Sequence, residues 1–215
     1  MQRALTLHQS TVGKKVMMAL SGVIIVGFVI GHFLGNLNLY RGQEALDGYA
    51  HMLQSLTPVL WGTRLLLLFA FGVHIWAAFS LWLRNTKARG SRYKKRQDLA
   101  TDYAARTMIW SGPILLAFVV YHLLHFTILP AHPGEVYRNV VEGFQVPLIA
   151  GVYMVGMVAL GLHIYHGIYS AFQTMGANHP RYNSFRRDLA IAISAAITVG
   201  NLSFPISVLA GFVTL

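Results

Sequence analysis

Residues 16–37 read VMMALSGVIIVGFVIGHFLGNL, a stretch whose only ionisable side chain is His32. An α-helix needs about 20 predominantly apolar residues to cross a bilayer, so this stretch is long enough to span one. Four more stretches of the same kind follow, at about residues 60–83, 107–129, 146–172 and 189–213. The expected fold is an all-α membrane protein, with five transmembrane helices in one bundle and residues 1–215 forming a single domain. Between the first two spans, residues 43–56 place Ala45, Leu46, Tyr49, Met52, Leu53 and Leu56 at helical spacing. That pattern predicts a short amphipathic helix lying at the membrane surface in the first outer loop. Residues 130–143 contain Pro130 and Pro133 and are expected to be irregular. No solenoid-type repeat is visible.

Composition agrees. The 215 residues are 55% hydrophobic and only 11% charged, whereas a soluble domain carries roughly 25% charged residues. There is no cysteine. That excludes disulfides, thiolate metal sites, iron–sulfur clusters and haem attached through Cys-x-x-Cys-His. Residues 1–15 are polar and the first apolar run reaches membrane length, so no cleavable signal peptide is expected. The net charge of +10 does not point to nucleic acid, because it is partitioned among loops. Of the 17 lysines and arginines, 14 fall in the N-terminal tail, in residues 84–106 or in residues 181–187; Arg41, Arg64 and Arg138 fall on the other side. The excess of positive charge on cytoplasmic loops places the N-terminus in the cytoplasm and the C-terminus outside.

Histidines stand out against this background. His32, His74, His122 and His163 lie one in each of the first four spans, and His125 and His166 lie one turn beyond the last two. Ionisable residues at membrane depth are costly and mark function. All seven acidic residues (Glu44, Asp47, Asp98, Asp102, Glu135, Glu142 and Asp188) fall in tails or loops, so a proton relay lacks its usual carboxylates. Imidazoles with no carboxylate nearby suit axial ligation of haem iron. At 1.5 Å per residue, His32 and His122 lie roughly 25 and 24 Å from the inner side. His74 lies roughly 15 Å, His163 roughly 20 Å and His166 roughly 15 Å from it. The histidines sort into an outer pair on the first and third spans, and an inner pair of His74 with His163 or His166. Two stacked bis-histidine haems follow, an electron path across the membrane. Gly31, Gly35, Gly72, Gly161 and Gly167 flank these histidines and let a flat ring or a neighbouring helix approach. Two other classes fit the same residues: a haem-free structural anchor whose histidines join helices, and a small transporter.

Five motifs carry a family resemblance: FVIGHFLGNL (28–37), YAHMLQSL (49–56), FGVHIWAAF (71–79), FVVYHLLHF (118–126) and GLHIYHGIYSAFQTMG (161–176). In their order and spacing the chain resembles the cytochrome b membrane-anchor subunit of succinate:quinone oxidoreductases (complex II; succinate dehydrogenase or fumarate reductase), in the single-subunit, five-helix, di-haem type. The resemblance implies His32 and His122 as ligands of a distal haem b, and His74 and His163 as ligands of a proximal one. It selects His163 as the histidine four residues before a glycine, Gly167, and His122 by the same motif, leaving His125 and His166 as second choices. It also implies a subunit of an oxidoreductase. The dicarboxylate chemistry would lie on a separate flavoprotein subunit, and an iron–sulfur subunit would deliver electrons. The anchor would pass them to a membrane quinone, menaquinone in a two-haem enzyme, in a bacterial cytoplasmic membrane. A fumarate reductase anchor would run the path in reverse, and the complex is open to higher oligomerisation.

Quinone reduction needs polar groups that bind or protonate carbonyl oxygens. On the inner side the candidates are Lys15, Ser21, His166, Tyr169 and Ser170; on the outer side they are Asn36, Glu44, His51 and His125. Residues 84–106 form the most basic stretch, suited to anionic lipid and to an iron–sulfur partner.

Overall fold

The computed structural model describes residue 6 and residues 8–88, 103–177 and 179–215. Residues 89–102 of the basic stretch expected to meet lipid and a partner lie outside the described residues, as does Arg3. Seven α-helices are described: α1 (Thr11–Asn36), α2 (Gln43–Ser55), α3 (Thr57–Lys87), α4 (Tyr103–Leu123), α5 (Val136–Gln145), α6 (Pro147–Thr174) and α7 (Asn183–Leu209). Five of them, α1, α3, α4, α6 and α7, are long and apolar enough to cross a membrane. Large apolar side chains face outward along them, with Leu68 72%, Phe69 71% and Leu148 78% exposed. Water does not tolerate so broad an apolar surface, and lipid does. The protein is therefore multi-pass.

Local chemistry sets the helix starts. Ser10 Oγ accepts from the Gly13 N–H at 2.9 Å and caps α1. Prolines occupy the first turns of α3 and α6, where no N–H is needed. Past Leu123, α4 widens into a π turn over Leu124–Ile128, closed by the Leu129 N–H to the Leu124 carbonyl at 2.9 Å. π turns cluster at functional positions, and this one carries His125.

The last span begins earlier than residue 189. α7 starts at Asn183 and takes Arg186, Arg187 and Asp188 into its first turns. Arg186 is only 1% exposed; it donates to the Asn183 side-chain oxygen and lies 5.4 Å over the Tyr169 ring. A cation stacked on an aromatic face is tolerated with little water, so the helix runs on past its apolar stretch.

α1 and α3 run antiparallel, tied at one end by Arg84 donating to Thr11 Oγ1 at 3.4 Å. α4 pairs with α6 in the same way, and α7 lies along α6. The end of α3 and the starts of α1 and α7 carry Arg84, Lys87, Lys14, Lys15, Arg186 and Arg187, and this is the basic end. α2 and α5 cover the other, capped end.

α5 corrects the expectation of an irregular loop. The two prolines stop short of it, Gly134 turns the chain at φ +87°, and Tyr137, Val141 and Phe144 then share one buried helical face. They pack with Leu39, Leu46, Tyr153, Phe204 and Val208. Asp47 on α2 accepts from the Tyr137 N–H at 2.8 Å, a carboxylate at a helix N-terminus. Tyr137 in turn donates to the Thr214 carbonyl at 2.7 Å. Glu142 joins Arg138 Nε at 2.7 Å and His132 Nε2 at 2.8 Å. The Arg138 hydrogen bond, then that of His132, holds the Glu142 carboxyl below its ordinary value. A lowered carboxyl pKa contributes stability that is present above the ordinary carboxylate range and is lost as pH falls through the lowered value. Amide protection in residues 132–145, measured relative to the intrinsic exchange rate at each pH, should therefore fall on acidification in the wild type, and be low and less pH-dependent in Glu142→Gln. Equal profiles for the two would contradict this.

The chain also repeats itself. Met18, Ser21, Gly22, Ile24, Phe28, Val29, His32 and Leu34 on the first span recur 90 positions later as Met108, Ser111, Gly112, Ile114, Phe118, Val119, His122 and Leu124. Ala70, Gly72, His74 and Ile75 recur 89 positions later as Ala159, Gly161, His163 and Ile164. The α4–α6 hairpin is a second edition of the α1–α3 hairpin. This is a twofold duplication, of a kind that a search for solenoid periods passes over.

Glycine sets the closest approach within the second hairpin. A Cβ at Gly156 would stand 2.6–2.8 Å from the Phe118 ring. Gly156→Val should lower thermal stability by about 1–3 kcal/mol through overpacking. An unchanged unfolding midpoint would show that α4 and α6 do not meet there.

Candidate haem-binding sites

At the capped end, His32 on α1 and His122 on α4 face each other, ring centroids 5.8 Å apart and planes at 80°. Phe28 stacks on His32 at 5.5 Å and 14°, and Phe118 stacks on His122 at 6.0 Å and 26°. Both are i,i+4 contacts, the same in each half of the duplication. Tyr153 on α6, only 4% exposed, brings its hydroxyl to 3.0 Å from His125 Nδ1 and 3.5 Å from His122 Nδ1. His125 stacks on Phe126 at 4.1 Å and meets Tyr121 at 5.5 Å. The α5 backbone closes over it, since a Cβ at Gly143 would lie 3.0 Å from its ring.

At the basic end, His74 on α3 and His163 on α6 face each other with ring centroids 6.1 Å apart. His74 Nδ1 lies 3.1 Å from the Met18 carbonyl and 3.3 Å from Ser21 Oγ. His163 Nδ1 lies 3.2 Å from Ser111 Oγ. Gly22 lets α1 come close to His74, as a Cβ there would meet the ring at 3.3 Å. Ser21 and His32 are 11 residues apart on α1, so the two pairs are separated by about 16 Å along the bundle.

These distances test whether iron suits the sites. A transition-metal ion binds imidazole nitrogen at about 2.0–2.1 Å, which puts two opposed ring centroids about 6 Å apart. Both pairs have that separation. Among the described residues no group of three or more His, Asp or Glu side chains can hold a metal. Each site offers two nitrogens and nothing more, which suits an iron that brings its own equatorial macrocycle. In each of His74, His122 and His163, Nδ1 has an oxygen partner. Metal-ligating histidines characteristically anchor the second nitrogen in this way.

The other candidates fall in different places. His51 and Glu44 are exposed on α2, while Asn36 is half-buried at the end of α1. Lys15 is exposed, and the buried lysine is Lys14, 8% exposed, with Nζ 5.1 Å over the Trp76 ring. Ser21 is engaged with His74, and Tyr169 with Arg186. His166 and Ser170 are half-buried near the basic end of α6. Sequence reasoning passed over Ser111, Tyr153, Lys14 and Arg186. The 90-residue offset from Ser21 marks Ser111; no comparable signal marks the other three.

The model of the family described as succinate dehydrogenase/fumarate reductase transmembrane subunit matches residues 84–201 of the chain. That match takes in His122 and His163 and stops short of His32 and His74, which the duplication relates to them. A curated relative, the succinate dehydrogenase cytochrome b558 subunit of Bacillus subtilis (strain 168), is 27% identical over 161 residues, 74% of this chain and 77% of the relative. No solved structure matches the chain significantly.

Proposed function

Since the chain belongs to the succinate dehydrogenase/fumarate reductase transmembrane subunit family, we propose that it is the anchor that binds two b haems and connects an iron–sulfur subunit with a membrane quinone. His32 and His122 bind one haem and His74 and His163 the other. The observation that carries this reading is the pair of facing imidazoles at each of two levels, 5.8 and 6.1 Å between centroids. Haem held by two histidines supplies a one-electron redox centre.

The chain's own side chains do the remaining work. A histidine ligates through one nitrogen when the other keeps the proton. The Tyr153 phenol has one proton and two imidazole neighbours. Donated to His125 Nδ1 at the shorter distance, it leaves the phenol oxygen to accept from His122 Nδ1–H. His122 then presents a bare Nε2, and His125 holds its proton on Nε2. This supports His122 as the ligand and His125 as its supporting group. Phe28 and Phe118 stack on the ligand rings and hold them, and α2 and α5 lie at that end of the bundle.

In this reading the basic end is cytoplasmic, the membrane is the bacterial inner membrane, and the flavoprotein and iron–sulfur subunits dock there. Electrons run from succinate to the quinone, as the Bacillus relative's name supports. Menaquinone is the proposed acceptor. Lys15, His166, Tyr169 and Ser170 remain its candidate contacts, and Ser21 leaves that group for His74. A tagged chain purified from its own membrane should bring the two soluble subunits with it, and succinate should reduce its b-type absorbance. A complex whose haem stays oxidised with succinate would overturn the direction; a folded complex with no haem would leave only a structural anchor.

A further inference from the structure

We propose that Ser21 and Ser111 are paired positioning residues of the basic-end site, one from each half of the duplicated chain, which hold His74 and His163 with the proton on Nδ1. The proposal rests on the haem reading above and deepens it.

The proton count on the Ser21 hydroxyl and the matching placement of Ser111 carry it. Ser21 Oγ lies 2.8 Å from the Met17 carbonyl and 3.1 Å from the Met18 carbonyl, both of its own helix. Carbonyls only accept, so the one serine proton goes to them and the oxygen's lone pairs face His74. His74 Nδ1 must then donate. The Met18 carbonyl at 3.1 Å from the same nitrogen requires this independently. In the other half, Ser111 Oγ lies 3.4 Å from the Met108 carbonyl and 3.2 Å from His163 Nδ1; donating to the carbonyl, as its repeat partner Ser21 does, it accepts from His163 Nδ1–H. Met18 and Met108 are themselves repeat partners. With Nδ1 protonated in both rings, Nε2 is bare in both.

Helix geometry explains why the same two helices serve both sites. Each serine stands 11 residues before the capped-end ligand of its own helix, Ser21 before His32 and Ser111 before His122. Eleven residues are close to three turns of about 3.6 residues, so serine and histidine share one stripe. α1 and α4 each give a ligand to the capped end and a hydroxyl to the basic end. α3 and α6 give the basic-end ligands. The capped end breaks the symmetry: the position equivalent to His125 in the first half is Gly35, and the hydroxyl there comes from Tyr153 on α6. The basic-end site is thus anchored by a serine from each half, with the Met18 carbonyl added at His74, and the capped-end site through Tyr153.

The test uses the whole complex carrying Ser21→Ala, Ser111→Ala or both. Readouts are haem content, the ferric low-spin resonance signals and the midpoint of each component. The capped-end component is identified as the one missing in His32→Ala. The basic-end component should be retained about 10- to 100-fold more weakly, as when a partner behind a metal ligand is removed. Where it is retained, its midpoint should move upward, most in Ser111→Ala and in the double variant, because an imidazole whose Nδ1–H has lost its acceptor is less basic and stabilises ferric iron less; Ser21→Ala leaves His74 Nδ1–H the Met18 carbonyl and should move it less. The capped-end component should stay unmoved and serves as the folding control. Ser111→Thr, which keeps the hydroxyl, should restore the wild-type signal. The proposal is overturned if the double variant keeps both wild-type signals and midpoints, if Thr and Ala behave alike, or if the capped-end component shifts equally. A wild-type complex without haem would instead overturn the reading on which the proposal rests.

Discussion

His74→Ala leaves the complex with one haem component of two, and His163→Ala removes the same one. Each imidazole would be half of a two-nitrogen site, so the loss of either would leave one histidine to hold the haem. His166→Ala keeps both components. It lies one turn from His163, but the ring that faces His74 at 6.1 Å is that of His163. Reduced-minus-oxidised spectra resolved by redox titration separate the cases. Two components surviving His74→Ala would remove His74 from the ligand set, and one lost with His166→Ala but kept in His163→Ala would transfer the ligand role from His163 to His166.

The second large effect separates two histidines that share one phenol. His122→Ala should remove the capped-end component, as His32→Ala does. His125→Ala should keep that component but leave the buried Tyr153 hydroxyl without its nearer acceptor, at a cost of about 1–3 kcal/mol. The phenol proton then has His122 as its remaining imidazole neighbour and competes with the proton on His122 Nδ1. The expected result is a shifted midpoint and altered low-spin signal at full haem content. Tyr153→Phe should move the same component in His122's favour or against it without touching the basic-end one. If His125→Ala loses the component and His122→Ala keeps it, the proton assignment on Tyr153 is reversed.

How far the sequence disclosed all this depends on which coordinate a feature needs. The five spans and α2 needed only apolar length and helical period, and both were legible. α5 was passed over because Pro130 and Pro133 suggested a loop, although Tyr137, Val141 and Phe144 already had helical spacing a few residues later. The start of α7 was hidden because Arg186 counts as polar in sequence, while in the fold it is buried against Tyr169. The histidine levels were legible because a helix rises uniformly, so residue number gives height. Hydroxyl partners such as Ser111 and Tyr153 need the direction around the helix axis and the neighbour across the gap, which height alone does not give. The 90-residue offset that links Ser111 to Ser21 was present in the sequence, but it spans two membrane crossings and matches no solenoid period.

The central claim is that this one chain binds two haems, each between histidines of different helices. The most direct measurement is protohaem per chain in the purified complex, by pyridine haemochromogen against quantitative amino-acid analysis. The account predicts two. One would mean that either the His32–His122 pair or the His74–His163 pair is a helix contact only, and none would contradict the haem-binding reading altogether.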